Sequence, residues 1–190
     1  MNLNALLYKL FNLKKSNKKV VIQTETTGFS PEKGNKLVEI AAIELDKNNN
    51  QTGMVFHAYI NPERDVPEEV VAIHGLNRKF LQNYPLFSAY KKEFLHFIRG
   101  KELIGHNINF DLDFLNNEIG FTLPNKTTNI LTMARKVFPN QKNNLDALSA
   151  RLKIKIKKNL YQGALYDVLC MIEIYKRLKA RSKSQNLPCF

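Results

Sequence analysis

At 190 residues, 44% hydrophobic and 24% charged, the chain is long enough for one domain with a proper core and short tails. Eight glycines and seven prolines exclude a collagen-like or low-complexity chain, and no stretch approaches the run of about twenty apolar residues that a membrane span needs. Cys170 and Cys189 form neither a metal-ligand spacing nor a disulfide framework, so the chain reads as a soluble, cytoplasmic globular protein with no membrane partner. The formal charge of +12 suggests a polyanionic partner, but the excess is uneven. Residues 1–24 carry five lysines and no acid, residues 25–140 hold 13 bases and 14 acids, and residues 141–190 hold 11 bases and 3 acids. Two readings fit these basic ends. One is a nucleic-acid surface; the other is an A/T-rich genome, since Lys outnumbers Arg 22 to 7 and Asn also reaches 22.

Leu3, Leu6, Leu7, Leu10, Phe11 and Leu13 recur at helical spacing beside Lys9, Lys14 and Lys15. Residues 1–18 are thus a basic amphipathic extension. It reads as a membrane-surface or partner-docking helix, a targeting segment, or, the favoured reading, an extension packed loosely on the domain or an upstream start. The β-branched run Val20-Val21-Ile22 predicts a buried strand, 37–45 a second and 54–60 a third. The Asn48-Asn49-Asn50 turn makes the last two antiparallel. A short helix is expected over 67–73, with Pro67 in its first turn, and an amphipathic helix over 87–98, ended by Gly100. A strand at 102–105 and helices near 109–119, 130–138, 144–152 and 163–180 complete the order. The pattern implies an α/β protein with a mixed sheet flanked by helices. The domain is placed at 19–180, with a tail at 181–190.

Carboxylates stand at the ends of these elements. Glu25 follows the first strand in Gln23-Thr24-Glu25-Thr26-Thr27-Gly28. Asp111 opens a helix in His106-Asn107-Ile108-Asn109-Phe110-Asp111, and Asp167 lies early in the last helix in Gln162-Gly163-Ala164-Leu165-Tyr166-Asp167. Acids converging from separate elements are what Mg²⁺ or Mn²⁺ needs, and two such ions clamp a phosphodiester for hydrolysis. Each acid alone reads as a surface or helix-terminus carboxylate; only the three together point to a metal site.

With Val38-Glu39-Ile40, Ile73-His74-Gly75, the Ala134–Pro139 run and the Asn144–Arg151 run, these motifs resemble the DnaQ-like (DEDDh) 3′–5′ exonucleases, and most closely their epsilon, or proofreading, branch from bacterial DNA polymerase III. The resemblance spans residues 20–178 and implies a ribonuclease H-like, mixed five-stranded sheet flanked by helices. It assigns Glu25, Asp111 and Asp167 as metal ligands and catalytic acids. It also places Thr26, Thr27, Gly28, His74 and Asn107 near the substrate strand, while Phe110 reads as core. Two positions depart from the family. Gln23 stands where the metal-bridging Asp belongs, and Gln162 where the general-base His belongs; a further family Asp corresponds to Asn129.

A neutral amide ligates weakly and supplies no charge against two metal ions. At an effective dielectric of about 20, one charge at about 4 Å is worth about 4 kcal/mol before solvation. An amide also has no useful basicity near neutral pH, whereas a general base contributes about 10²–10⁴-fold. Asp113 or Glu39 is the remaining source of a substitute ligand. The expectation is an epsilon-type subunit with proofreading lost or severely impaired. The alternatives are a working two-metal exonuclease on single-stranded DNA 3′ ends and a stand-alone nucleic-acid-binding module. The implied partners are single-stranded DNA, the polymerase alpha subunit, the sliding clamp and the theta subunit. Gln185-Asn186-Leu187-Pro188-Cys189-Phe190 resembles a clamp-docking hexapeptide, with Gln185 as hydrogen-bonding end and Phe190 as anchor. Epsilon subunits carry a further segment that holds the polymerase, so alpha-subunit attachment is the carry-over with least behind it.

Overall fold

The computed structural model describes residues 16–156 and 163–185. Five strands form one sheet in the order β3-β2-β1-β4-β5. They are β1 (Lys19–Thr26), β2 (Leu37–Leu45), β3 (Gln51–Tyr59), β4 (Glu102–Gly105) and β5 (Thr127–Asn129). β1, β2 and β3 pair antiparallel, while β4 runs parallel to both β1 and β5. The sheet is therefore mixed, as expected.

Alternation along the strands divides the core into two layers. Val20 and Ile22 of β1, with Ile40 and Ala42 of β2, pack beneath α3 (Phe87–Ile98) and α4 (Ile108–Ile119). Val21, Ala41, Ile43 and Leu45 face the other way. They pack against α5 (Ile130–Val137), α6 (Leu145–Arg151) and α7 (Gly163–Ser184). Helices α1 (Glu68–His74) and α2 (Arg78–Leu81) cover the far end of the β2–β3 pair through Val38, Leu76 and Leu81.

The first strand runs further than its apolar residues announce. Polar Gln23, Thr24, Glu25 and Thr26 continue the ladder with β2 up to a bulge at Glu25/Thr26. The third strand starts earlier and ends one residue sooner, because Gln51 pairs with Leu45 across the turn. α7 continues to Ser184 rather than stopping near 180, and so crosses the anticipated domain boundary. Strand β5 and helix α2 carry too little apolar pattern to be read from sequence: β5 has three residues, two of them Thr, and α2 has four. The proposed amphipathic helix over residues 3–13 lies outside the described residues, as do Gln162 and Phe190.

Every residue of β2 is buried, including Glu39 and Glu44. Burial alone would raise the Glu44 carboxyl, but hydrogen bonds from Lys101, Lys18 and Thr52 outweigh it and bring it down to about 2. Lys101 and Lys18 approach to 2.5 and 2.7 Å and clamp the β1–β2 pair beside the start of β4. An acid held this low adds stability above its ordinary value that is lost as pH falls toward 2. Glu44→Gln should therefore cost about 2–3 kcal/mol at pH 7, since it leaves a buried ammonium without its partner. Urea melts should show the gap between parent and variant closing between pH 5 and pH 2; a constant gap would refute the ion-pair account.

Candidate active site

Parallel β4 ends at Gly105 beside Ile22 while β1 continues to Thr26, and the crevice beyond such strand ends is where open α/β sheets bind ligands. Gly105 closes β4 within 3.3 Å of the Ile22 carbonyl, measured from where a Cβ would sit, so strand and loop approach as only glycine allows. The chain then passes through Asn107, at φ 61°, into α4.

Asp111 lies in the first turn of α4 and is 1% exposed. Its Oδ1 accepts the Thr24 backbone N–H at 2.8 Å and the Thr24 hydroxyl at 2.7 Å. Burial nevertheless raises this carboxyl to about 7 against the pull of those bonds. Thr24 points toward α4. Its neighbours Gln23 and Glu25 therefore point to the opposite face, toward α7, which carries Asp167 in its second turn. Burial raises Glu25 to about 8, helped by the negative charges of Asp167, Glu39 and Asp111. The charges of the two other acids singled out in the sequence thus both reach Glu25. Gln23 sits in that row with an amide, whose Nε2 donates a long 3.4 Å bond to the Thr24 carbonyl. Among the described residues, no three His, Cys, Asp or Glu side chains gather into a ready set of metal ligands.

The remaining positions are tied into the scaffold. Thr27 Oγ1 accepts the Lys36 N–H at 3.0 Å, and the Thr26 hydroxyl donates to the Gly28 carbonyl at 2.6 Å. A Cβ on Gly28 would stand 2.7 Å from the Asn35 side chain, so that side chain occupies the space glycine leaves. His74 Nδ1 accepts the Leu76 N–H, which leaves Nε2 to donate to the Thr26 carbonyl at 3.2 Å. Burial lowers His74 below the usual imidazole value, and the neutral ring straps α1 to the end of β1. The Asn107 N–H donates to Asn129 Oδ1, which also caps α5 by accepting the Leu131 N–H. A neutral amide oxygen serves both bonds at Asn129. Phe110 packs on Phe114 in the core, with ring centroids 5.1 Å apart.

Glu39 and His57 form a pair that sequence reasoning missed. Glu39 is fully buried, and its Oε1 lies 2.7 Å from His57 Nε2. Its Oε2 accepts the Ala164 N–H at the start of α7, at 3.2 Å. Gly163, at φ 59°, passes so close that a Cβ there would meet Oε2 at 2.5 Å. Oε2 therefore fastens α7 to the sheet, while Oε1 is taken up by His57 of β3. Two signals were present in the sequence: a Glu inside an otherwise apolar strand, and a His at alternating position in the strand beside it.

A sequence profile described as "Exonuclease" (RNase_T) matches residues 20–175. The DNA polymerase III subunit epsilon of Rickettsia conorii is 42% identical over 176 residues, covering 88% of this chain and 76% of that protein. The chain belongs to the exonuclease family, in its DNA polymerase III epsilon branch. The epsilon subunit of Escherichia coli K12 is 38% identical over 170 residues, covering 83% of this chain and 70% of its own length. Among solved structures, exonuclease X bound to 5′-overhanging duplex DNA superposes with a TM-score of 0.70 at 20% identity, covering 86% of this chain and 92% of that one. Exonuclease I with a dT13 oligonucleotide gives 0.76 at 17% identity, covering 90% of this chain and 43% of that one. These two likenesses establish the shared fold.

The raised Glu25 carboxyl has a measurable consequence. Unfolding returns it to about its ordinary value of 4.5, so between pH 4.5 and 8 the folded chain holds a proton that the unfolded chain releases. Its contribution to stability therefore falls across that window and stays low above it. Without added divalent ions, Glu25→Gln should be more stable than the parent at pH 8, by an amount on the order of a few kcal/mol, and equal to it at pH 4. Thermal melts across this range check the sign; a variant–parent gap no larger at pH 8 than at pH 4 would remove the buried-charge account.

Proposed function

We propose that this chain is an epsilon-type subunit of bacterial DNA polymerase III that keeps the 3′–5′ exonuclease fold while its hydrolytic activity is lost or severely impaired. One observation carries the reading: the charges of Asp111 and Asp167 both reach Glu25, while Gln23, on the same strand and face as Glu25, contributes no charge. The donors are hard carboxylate oxygens, a chemistry that suits Mg²⁺ or Mn²⁺, and such an ion would have to displace the protons that burial favours on Glu25 and Asp111. Such an ion, when bound, polarises a phosphodiester oxygen and acidifies its water. Glu25, Asp111 and Asp167 would hold it, and Thr24 orients Asp111 for the task. Gln23 offers a weak neutral ligand, so a second ion loses the anion that would offset repulsion between two cations. Gln162 can hydrogen-bond a water but cannot take its proton.

In this reading the domain covers residues 19–180 and receives a single-stranded DNA 3′ end near Thr26, Thr27, Gly28, His74 and Asn107. The subunit acts chiefly as a structural part of the cytoplasmic replisome. The names of its relatives support assembly with the polymerase, within which the alpha and theta subunits are the proposed contacts. Gln185 and Phe190 bracket the proposed clamp-docking tail.

The decisive assay uses 5′-labelled single-stranded DNA and Mn²⁺. The unaltered chain should leave the labelled strand at full length, whereas Gln23→Asp combined with Gln162→His should raise the rate of shortening from the 3′ end by at least about 10²-fold. Robust digestion by the unaltered chain would refute the impairment. Clamp docking is tested by surface binding of the full chain and Phe190→Ala. Loss of a buried aromatic anchor should weaken affinity by about thirtyfold or more, roughly 2 kcal/mol, and equal affinities would dismiss the tail as a docking element.

A further inference from the structure

Opposite the cleft, the end of α6 and the second half of α7 enclose two open concavities that share Lys153 and Arg177. Arg151, Lys155 and Arg181 complete their basic lining, and Glu173 is the acid among the lining residues. Glu173 is already paired with Lys176 at 3.0 Å. None of the five cations takes part in an ion pair among the described residues. Their anchors are neutral instead. Arg151 donates to Asn143 Oδ1 and to the Lys142 carbonyl, and Arg177 donates to the Leu152 carbonyl. The guanidiniums of Arg151 and Arg181 sit 4.9 and 5.5 Å from the centroid of the buried Phe138 ring. The arginines are thereby held in place with their charge uncompensated. Like charges gathered without counterions raise the energy of the folded chain, and a polyanion would relieve that repulsion.

The position of this face is fixed by two independent measures. Arg177 and Arg181 follow Asp167 by ten and fourteen residues on the same helix, ~15 and ~21 Å along its axis. Gln51, which lines the first concavity, pairs with Leu45 and through it with Lys19, at the end of β1 away from Glu25. Six residues of strand make that separation ~20 Å. Lys19 and Lys179 extend the positive field there, and their mutual repulsion, added to burial, lowers the Lys19 ammonium below its usual value.

We infer that the α6–α7 face is a second DNA-binding surface, separate from the cleft, which takes the sugar–phosphate backbone of DNA through Arg151, Lys153, Lys155, Arg177 and Arg181 without reading bases. This goes beyond the proposed function and does not depend on whether the cleft hydrolyses anything. Binding is therefore measured in EDTA, by fluorescence anisotropy of a mixed-sequence 20-bp duplex and, separately, a 20-nucleotide single strand, over a range of salt.

The test variant is Lys153→Asn/Lys155→Gln/Arg181→Gln. Asn suits the left-handed backbone of Lys153, at φ 51°, and Phe138-facing Arg181 is replaced while Arg151 is left in place. The control, Lys33→Gln/Lys79→Gln/Lys92→Gln, removes the same charge from exposed positions elsewhere. The face variant should bind at least about tenfold more weakly at 0.1 M salt, with the slope of log K against log salt smaller by about 3 for the duplex. The control should change neither by more than a small part of that. Equal losses in the two variants, or none in either, would overturn the surface, and polyglutamate bound as tightly as DNA would overturn its assignment to DNA. Comparing duplex with single strand then tells which form seats better. If the triple variant fails to fold, Lys155→Gln/Arg181→Gln alone should lower the slope by about 2.

Discussion

Buried carboxylates brought near one another at the end of β1 set the terms for everything around them. Glu25 and Asp111 hold their protons near neutral pH, because burial and neighbouring acids make each negative charge costly. The scaffold does not relieve that cost with a cation. It relieves it in part with dipoles: the Thr24 N–H and hydroxyl on Asp111, and the N-terminal turn of α4 beneath it. Elsewhere in the same sheet the solution is different. Glu44, equally buried, is met by two ammonium groups and is ionised at any ordinary pH. One strand thus carries an acid neutralised by fixed lysines, while the neighbouring cleft keeps its acids uncompensated. That contrast separates a structural charge from one available to a ligand.

The two ends of the sheet divide the electrostatics of the molecule. Acids cluster where β1 ends, and unpaired cations cluster beside its beginning, along the second half of α7. The single helix α7 spans both, starting against Glu39 and finishing among the arginines. Its fastening at Gly163 and Ala164 therefore fixes Asp167 and the basic face with respect to the same strand.

Much of this was legible in the sequence. The largely apolar run at 37–45 and helical spacing in 87–98 placed the central elements within a residue or two, and the charges of Asp111 and Asp167 do reach Glu25. What escaped was set by tertiary contact. The polar half of β1 is a strand because β2 supplies its hydrogen bonds, a support that local composition does not reveal. The bonds that His74 and the Asn107 backbone make to Thr26, Leu76 and Asn129 likewise have no local signature. Glu39 was weighed only as a spare ligand. Its bonds to His57 and Ala164, which commit both oxygens, join residues 18 and 125 positions away and leave no local signature.

The contact between Gly163 and Glu39 also constrains how the sequence can drift. Any side chain at 163 collides with the carboxylate, and loss of the carboxylate strips the helix start of its acceptor. A viable change at either position therefore calls for a compensating change at the other, which couples residues 124 positions apart through a single contact.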